Sequence, residues 1–439
     1  MTTYWAQHAT LRGGVAPGVT LEVMDGRFTR IDTHTNPGAA QRLSGIALPG
    51  LANCHSHAFH RALRGRTHHE GGTFWTWRKG MYAVASRLDP DRYLALARAT
   101  YAEMALAGIT AVGEFHYLHH QVDGTAYADA NVMGEALRQA AAEAGVRLTL
   151  LDTCYVSGGL DEAGHLEIAD EQRRFSDGDA DGWARRWHDL KPDANTAIGA
   201  AIHSVRAVPR DQMRTVVTAA EGGPLHLHLS EQPAENQACR QHYGCTPTQL
   251  LRDVGALGAH TTAVHATHLT DDDIALLGGT RTTCCFCPTT ERDLADGIGP
   301  ARALLDAGSP LSLGSDQHAV IDLIEEARAL EMHERLSTLT RGRLDHDALL
   351  TAATDHRSIG WSDAGALEVG ARADLVTVRS DSPRTAGAAP EQILYAASGA
   401  DVDTVIRDGE VVVQDGRHRL GDVGALLARA IAPLWEDAT

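Results

Sequence analysis

Hydrophobic and polar positions alternate in three early segments, residues 3–8, 20–25 and 28–33, which predicts short strands of a small sheet layer. From Ile46 to Asn53 the pattern changes to an apolar stretch that runs into a histidine cluster. A repeated order then continues to residue 316: a short apolar run, a polar or ligand-capable residue, and a helical pattern. Further runs occupy 109–115, 147–152, 197–203, 224–229, 262–267, 282–287 and 310–315, making eight candidate strands. Between several of them lie amphipathic helices. In 90–107, Tyr93, Leu96, Ala97, Thr100, Tyr101 and Met104 mark one face before Gly108 ends it, and in 130–145 Met133, Leu137, Ala140 and Ala144 do the same ahead of Gly145.

Eight strand–helix units in roughly 270 residues fit the size and order of an α/β protein of the (β/α)8 TIM-like barrel type. A doubly wound open sheet shares the alternation, but no GxGxxG follows a strand. Beyond the last barrel strand, 322–339 and 345–354 read as helices. The segments 367–378, 391–397, 403–407 and 410–413 return to short strands and turns, punctuated by Gly365, Gly370 and Gly409, and 421–435 reads as a terminal helix. The expectation is a small β-sandwich domain built from both chain termini, residues 1–45 and 361–439, around a barrel at 46–360. The connection 154–196, with Trp183 and Trp187 four apart on a predicted helix, exceeds what a barrel loop needs. It reads equally as an insertion over the active-site mouth and as a surface excursion.

Composition narrows the class. Of 439 residues, 43% are hydrophobic and 22% charged, which is ordinary globular usage and enough chain for a self-sustaining core. A net charge of -18 without any Lys/Arg block argues against nucleic acid as a partner. The apolar runs are too short for a membrane span and no secretory signal is visible, so the expected location is cytoplasmic. Cys284, Cys285 and Cys287 are clustered, but neighbouring strand residues face opposite ways, and buried free thiols are expected rather than a structural zinc site.

The candidate chemistry sits at predicted strand ends. His55 and His57, two apart after the first barrel strand, face the same way and can converge on one point. The fifth strand carries His226 and His228, the sixth ends in His265 and His268, and the eighth delivers Asp316. All lie where barrel enzymes place their chemistry. His55, His57, His228 and Asp316 form a mixed N/O set suited to Zn2+, with iron or another divalent metal also acceptable. His226 reads as barrel filling or as a donor behind the ligands, with a ligand role as the alternative. No lysine stands at the end of the fourth strand to bridge two ions, so one ion is expected. In such a centre Asp316 can ligate and take a water proton, His265 can orient or deprotonate the nucleophile, and Glu231 can carry a proton to a leaving nitrogen. That suits hydrolysis at a C–N centre. Glu114 reads as a partner to a histidine or arginine behind the site.

The strings LANCHSHAFHRAL, FWTWRKGMY, GEFHYLHH, AIHSVRAV, HLHLSEQ, VHATHL, CPTTERDLADG and SLGSDQH resemble the amidohydrolase superfamily. Within it, FWTWR, HYLHH and HSVR resemble the formimidoylglutamate deiminase family of bacterial histidine degradation. The resemblance implies a zinc enzyme that converts N-formimino-L-glutamate to N-formyl-L-glutamate and ammonia. It implies His55, His57, His228 and Asp316 as ligands and Glu231 and His265 as the proton-transfer pair. Arg78, Tyr117, His203 and Arg206 match the family's substrate-holding positions, and a homodimer is implied. Guanidinium forks at Arg78 and Arg206 also suit the two carboxylates of a small anionic amidine substrate on physical grounds. The chain departs from the family at His60, where glutamine is usual near the substrate, and between Arg64 and Gly72, which is short and histidine-rich. A deaminase of guanine-, cytosine- or adenosine-like rings is the alternative reading. A metal-stabilised binding protein without catalysis is a third, and Glu231 and His265 argue against it, because a purely structural site needs no proton carrier.

Overall fold

The computed structural model describes residues 1–68, 74–220 and 222–436. Four strands come first: β1 (Thr2–Leu11), β2 (Gly14–Met24), β3 (Arg27–Asp32) and β4 (Gln41–Pro49). Alternation drives them; in β2, Val19, Leu21 and Val23 are buried while Thr20 and Glu22 between them are half-buried. The next strands are β5 (Leu51–Ser56), β6 (Ile109–His116) and β7 (Arg147–Cys154). After a small hairpin of β8 (Gly159–Asp161) and β9 (Gly164–Leu166) come β10 (Thr196–Ile202), β11 (Leu225–Leu229), β12 (Thr261–His265), β13 (Thr283–Phe286) and β14 (Leu311–Leu313). The chain ends with β15 (Leu375–Val378), β16 (Val402–Arg407), β17 (Glu410–Gln414), β18 (Arg417–His418) and the helix Val423–Ile431.

Strands β5, β6, β7 and β10 to β14 pair in parallel, in chain order, as one eight-stranded sheet. Every residue of β5, β6, β7 and β11 to β14 is buried, as expected of strands covered on both faces. The last gap is bridged by Ser56 and Asp316. His57 donates its N–H to the Asp316 carbonyl at 3.1 Å, and the Asp316 N–H reaches the His55 carbonyl at 3.0 Å. The seam of the barrel therefore runs through residues of the candidate centre.

The other sheet has the order β18-β17-β16-β15-β4-β1-β2-β3 and so mixes strands from both ends of the chain. It curls until β3 meets the segment ahead of β15: Phe28 donates to Ala371 O at 3.0 Å and accepts from Gly370 N at 2.8 Å. Tyr4, Val19, Leu21, Phe28, Leu375 and Ile406 fill the enclosed core. Arg147, at the start of β7, forms a fully buried ion pair with Asp374 at 2.6 Å and reaches Asp408 at 2.7 Å, tying the barrel to this sheet.

Helix ends follow local chemistry. Asp89 caps Pro90–Leu106 by accepting the Arg92 N–H, and Gly145 ends Val132–Ala144 at φ 78°. One expectation changes. The stretch Ile46–Asn53 is two strands, β4 in the outer sheet and β5 in the barrel, parted at Gly50. A Cβ at Gly50 would stand 2.4 Å from Thr110 Oγ1, so a larger residue would force the strands apart. In the segment 391–397, part of the expected run of short strands and turns, Pro390–Tyr395 forms a 3-10 turn that buries Ile393 and Leu394. Adjacent apolar residues here serve a turn that packs both inward.

The 154–196 excursion is anchored on the barrel. Its helix Ala180–Trp187 buries Trp183, whose indole N–H donates to Asp152 at 2.8 Å, and the Trp187 indole reaches Gly199 O at 3.0 Å. All seven cysteines are free thiols, with Cys284 in a different apolar cluster from Cys285 and Cys287. Among the described residues no helix is long and apolar enough to cross a membrane.

Candidate metal centre and active site

Strand β5 delivers His55 and His57 to the C-terminal mouth of the barrel, β11 delivers His228, and the turn after β14 delivers Asp316. Asp316 Oδ1 lies 3.4 Å from Nε2 of both His55 and His57, and His228 Nε2 lies 3.2 Å from His55 Nε2. Two rings are oriented from behind. His57 Nδ1 is 2.9 Å from Phe115 O and His228 Nδ1 is 2.8 Å from His203 O. A ring whose Nδ1–H donates to a carbonyl turns the bare Nε2 lone pair inward, the tautomer a metal ligand needs. Burial lowers the pKa of all three rings, that of His55 to about 3, and so favours their neutral form. Burial also works against the Asp316 carboxylate, but the surrounding imidazoles hold its pKa well below the usual range. Three neutral imidazoles and one carboxylate, buried and gathered around His55, offer a donor set that fits a divalent ion.

His265 stands beside this set. Its Nε2 is 3.9 Å from Glu231 Oε1 and its Nδ1 3.6 Å from Glu291 Oε1. Burial pulls the imidazole down, yet Glu231, Glu291 and Asp316 together push it up to about 10. Ser230, His265, Ala266, Asp316 and His318 all have φ between 41° and 70°, a left-handed backbone unusual outside glycine. Such strain, of order 1–3 kcal/mol per residue, collects where surrounding packing dictates the geometry of a site.

Ser56, between the two β5 histidines, donates to Glu114 Oε2 at 2.6 Å, and the Ala58 N–H reaches Glu114 Oε1 at 2.6 Å. Burial raises the Glu114 pKa to about 7. Glu114 thus holds the turn carrying the histidines rather than a histidine or arginine side chain. His226 turns to Ser358 O at 2.9 Å and His268 to Asp296 O at 2.8 Å, both away from the centre.

A cleft opens in front of Asp316 and brings together His57, His228, His265 and Glu231 with His60, Arg78, Tyr117, His203 and Arg206. His60 Nε2 is 2.9 Å from the Tyr117 hydroxyl. Arg78 donates from Nε to the Tyr82 hydroxyl at 2.8 Å and lies over that ring. Arg206 spans Glu231 and Glu235, with Nη2 to Glu231 Oε2 at 3.3 Å and Nε to Glu235 Oε2 at 2.8 Å. From the 154–196 excursion, Tyr155 and Phe175 also line the cleft, so this segment forms part of its wall. Of the atypical stretch Arg64–Gly72, residues 69–72 lie outside the described residues.

Four neighbours of the site escaped sequence reasoning: Glu235, Glu291, Tyr82 and Tyr155. Glu291 sits inside CPTTERDLADG and Glu235 four residues after Glu231. Neither position shows from the sequence alone that its carboxylate folds back onto the site.

A parallel barrel with a His/Asp centre at the C-terminal ends of its strands defines a metal-dependent hydrolase. Residues 46–412 match the amidohydrolase family, and the chain belongs to that family as a metal-dependent hydrolytic enzyme, a deaminase of the superfamily. It is 36% identical to formimidoylglutamate deiminase of Pseudomonas aeruginosa over 95% of this chain and 96% of that protein. The 8-oxoguanine deaminase of the same organism is 30% identical over 88% of this chain and 85% of that protein. Among solved structures, an amidohydrolase from Brucella melitensis superposes with a TM-score of 0.92 at 31% identity, covering 99% of this chain and 100% of that one.

Proposed function

We propose that this protein hydrolyses N-formimino-L-glutamate to N-formyl-L-glutamate and ammonia. The observation that carries the reading is the pair of arginines, Arg78 and Arg206, lining the same cleft as Glu231, His265 and Asp316. A substrate with two carboxylates and an amidine-like carbon needs two cationic forks at one end and proton carriers at the other. Ring deaminases need a stacking slot with fewer anion clamps. The likeness to the Pseudomonas aeruginosa deiminase, across nearly the whole of both chains, supports the same choice.

In this reading His55, His57, His228 and Asp316 hold one divalent ion, with Zn2+ preferred for the N/O donor set. Bound there, the ion supplies the Lewis acidity that makes water a nucleophile near neutral pH. Asp316 accepts a proton at a carboxylate oxygen. His265, flanked by carboxylates on both ring nitrogens, orients the attacking water and stabilises the charge that develops on its oxygen. Glu231 moves a proton to the departing nitrogen, so that ammonia leaves rather than an amide anion. Arg78 and Arg206 clamp the substrate carboxylates, and His60, Tyr117 and His203 close the wall around the chain between carboxylates and amidine. A cytoplasmic homodimer completes the proposal, with light scattering as the check on its oligomeric state.

The deciding experiment is ammonia release by the metal-loaded protein from N-formimino-L-glutamate, set beside guanine-, cytosine- and adenosine-type amines. Turnover of a ring amine with none of formiminoglutamate would end this reading.

A further inference from the structure

We infer that Arg206 also acts as a latch on Glu231, opened by the substrate's own carboxylate, with Glu235 as the positioning residue that keeps the guanidinium in place. The inference rests on the deamination proposed above. Glu231 follows β11, and Glu235 lies in the first turn of the helix Pro233–Tyr243. Arg206 is shared between them unequally: 2.8 Å to Glu235, whose side chain is wholly buried, and 3.3 Å to Glu231, whose side chain is partly solvated. The second oxygen of Glu235 accepts the N–H of Ser230 at 2.7 Å, which fixes the carboxylate against the backbone beside Glu231.

The asymmetry has a mechanical meaning. A carboxylate entering the cleft competes for the guanidinium and displaces the longer, less buried contact first, which is that of Glu231. Glu235 stops Arg206 from following Glu231 or the ligand. Glu231 Oε1 already stands 3.9 Å from His265 Nε2, so a released Glu231 needs little movement to serve the departing nitrogen. An amidine without a carboxylate leaves the contact intact and its proton carrier engaged. Discrimination then appears in kcat as well as in KM, because binding energy from the remote carboxylate is used at the reacting end.

The test uses formamidine, the reacting group alone, as substrate for the metal-loaded wild-type protein, with increasing propionate as a free carboxylate. The expected result is saturable activation by about fivefold, the factor for release of one partly solvated ion pair. Glu235→Gln is expected to lower kcat for formiminoglutamate more than it raises KM, with unchanged metal content, and Glu235→Asp to restore much of the loss. Arg206→Met/Glu235→Gln, which leaves no buried unpaired carboxylate, should hydrolyse formamidine about fivefold faster than wild type and ignore propionate. Propionate that only inhibits or has no effect on wild type would overturn the latch, even if formiminoglutamate proves to be a good substrate. Failure to turn over formiminoglutamate, with propionate still activating formamidine, would instead remove the substrate reading and leave the latch.

Discussion

Arg147 and Asp374 meet at 2.6 Å with both side chains sealed from solvent, one at the start of β7 and the other just ahead of β15. Removing one partner of a buried pair strands the other charge. Arg147→Met is therefore expected to cost about 3–5 kcal/mol, whereas Arg147→Met/Asp374→Leu recovers most of it. Denaturant titration of the three proteins checks both statements; a single variant as stable as wild type would show that the pair holds nothing together.

The same pair predicts a pH dependence of stability. Burial pushes the Asp374 carboxyl upward, but Arg147 more than reverses this and holds it below its ordinary value. With the folded pKa depressed below the unfolded value of about 3.9, the contribution is complete above that pH and is lost as pH falls through the folded pKa. Wild type and Asp374→Asn should differ most near neutrality and converge below about pH 4. A gap that stays constant into acid would contradict this.

Chelation should abolish turnover, and one equivalent of a divalent ion per chain should restore it. His57→Ala should need far more metal, since the remaining His55, His228 and Asp316 lose one arm of the set. Metal analysis after gel filtration gives the stoichiometry, and two tightly held ions would overturn the single-ion proposal.

Glu231→Gln should retain its metal yet lose turnover by about 10²-fold or more, because an amide cannot shuttle a proton. Unchanged ammonia release would take Glu231 out of the mechanism.

At His60 the ring nitrogen bonds the Tyr117 hydroxyl at 2.9 Å. A glutamine amide can make the same bond. His60→Gln should thus stay within about fivefold of wild type in kcat/KM, the scale of one hydrogen bond, while His60→Leu, which leaves Tyr117 unpaired, should fall further. Equal activity of the two variants would mean that the contact does not matter.

The legible part of this protein was what periodicity and order along the chain control. All eight barrel strands and the convergence of His55, His57, His228 and Asp316 follow from strand ends facing one mouth, and the helix Phe74–Ala85 adds Arg78 to the same cleft as Arg206. What stayed hidden depends on how loops and helices pack. Glu235 and Glu291 are two among 57 acidic residues, and only the fold shows which carboxylates turn inward. The division at Gly50 was invisible because β4 and β5 are both apolar there, and only the fold shows how closely Thr110 of the adjoining strand approaches Gly50.

Strand β4 lies between β1, made shortly before it, and β15, made after the entire barrel. During synthesis its outer edge stands open while every barrel strand is produced, with backbone N–H and C=O groups available to any passing strand. A chaperone that shields this edge, or a slow approach of β15, would thus govern the yield of folded enzyme without touching a single residue of the cleft.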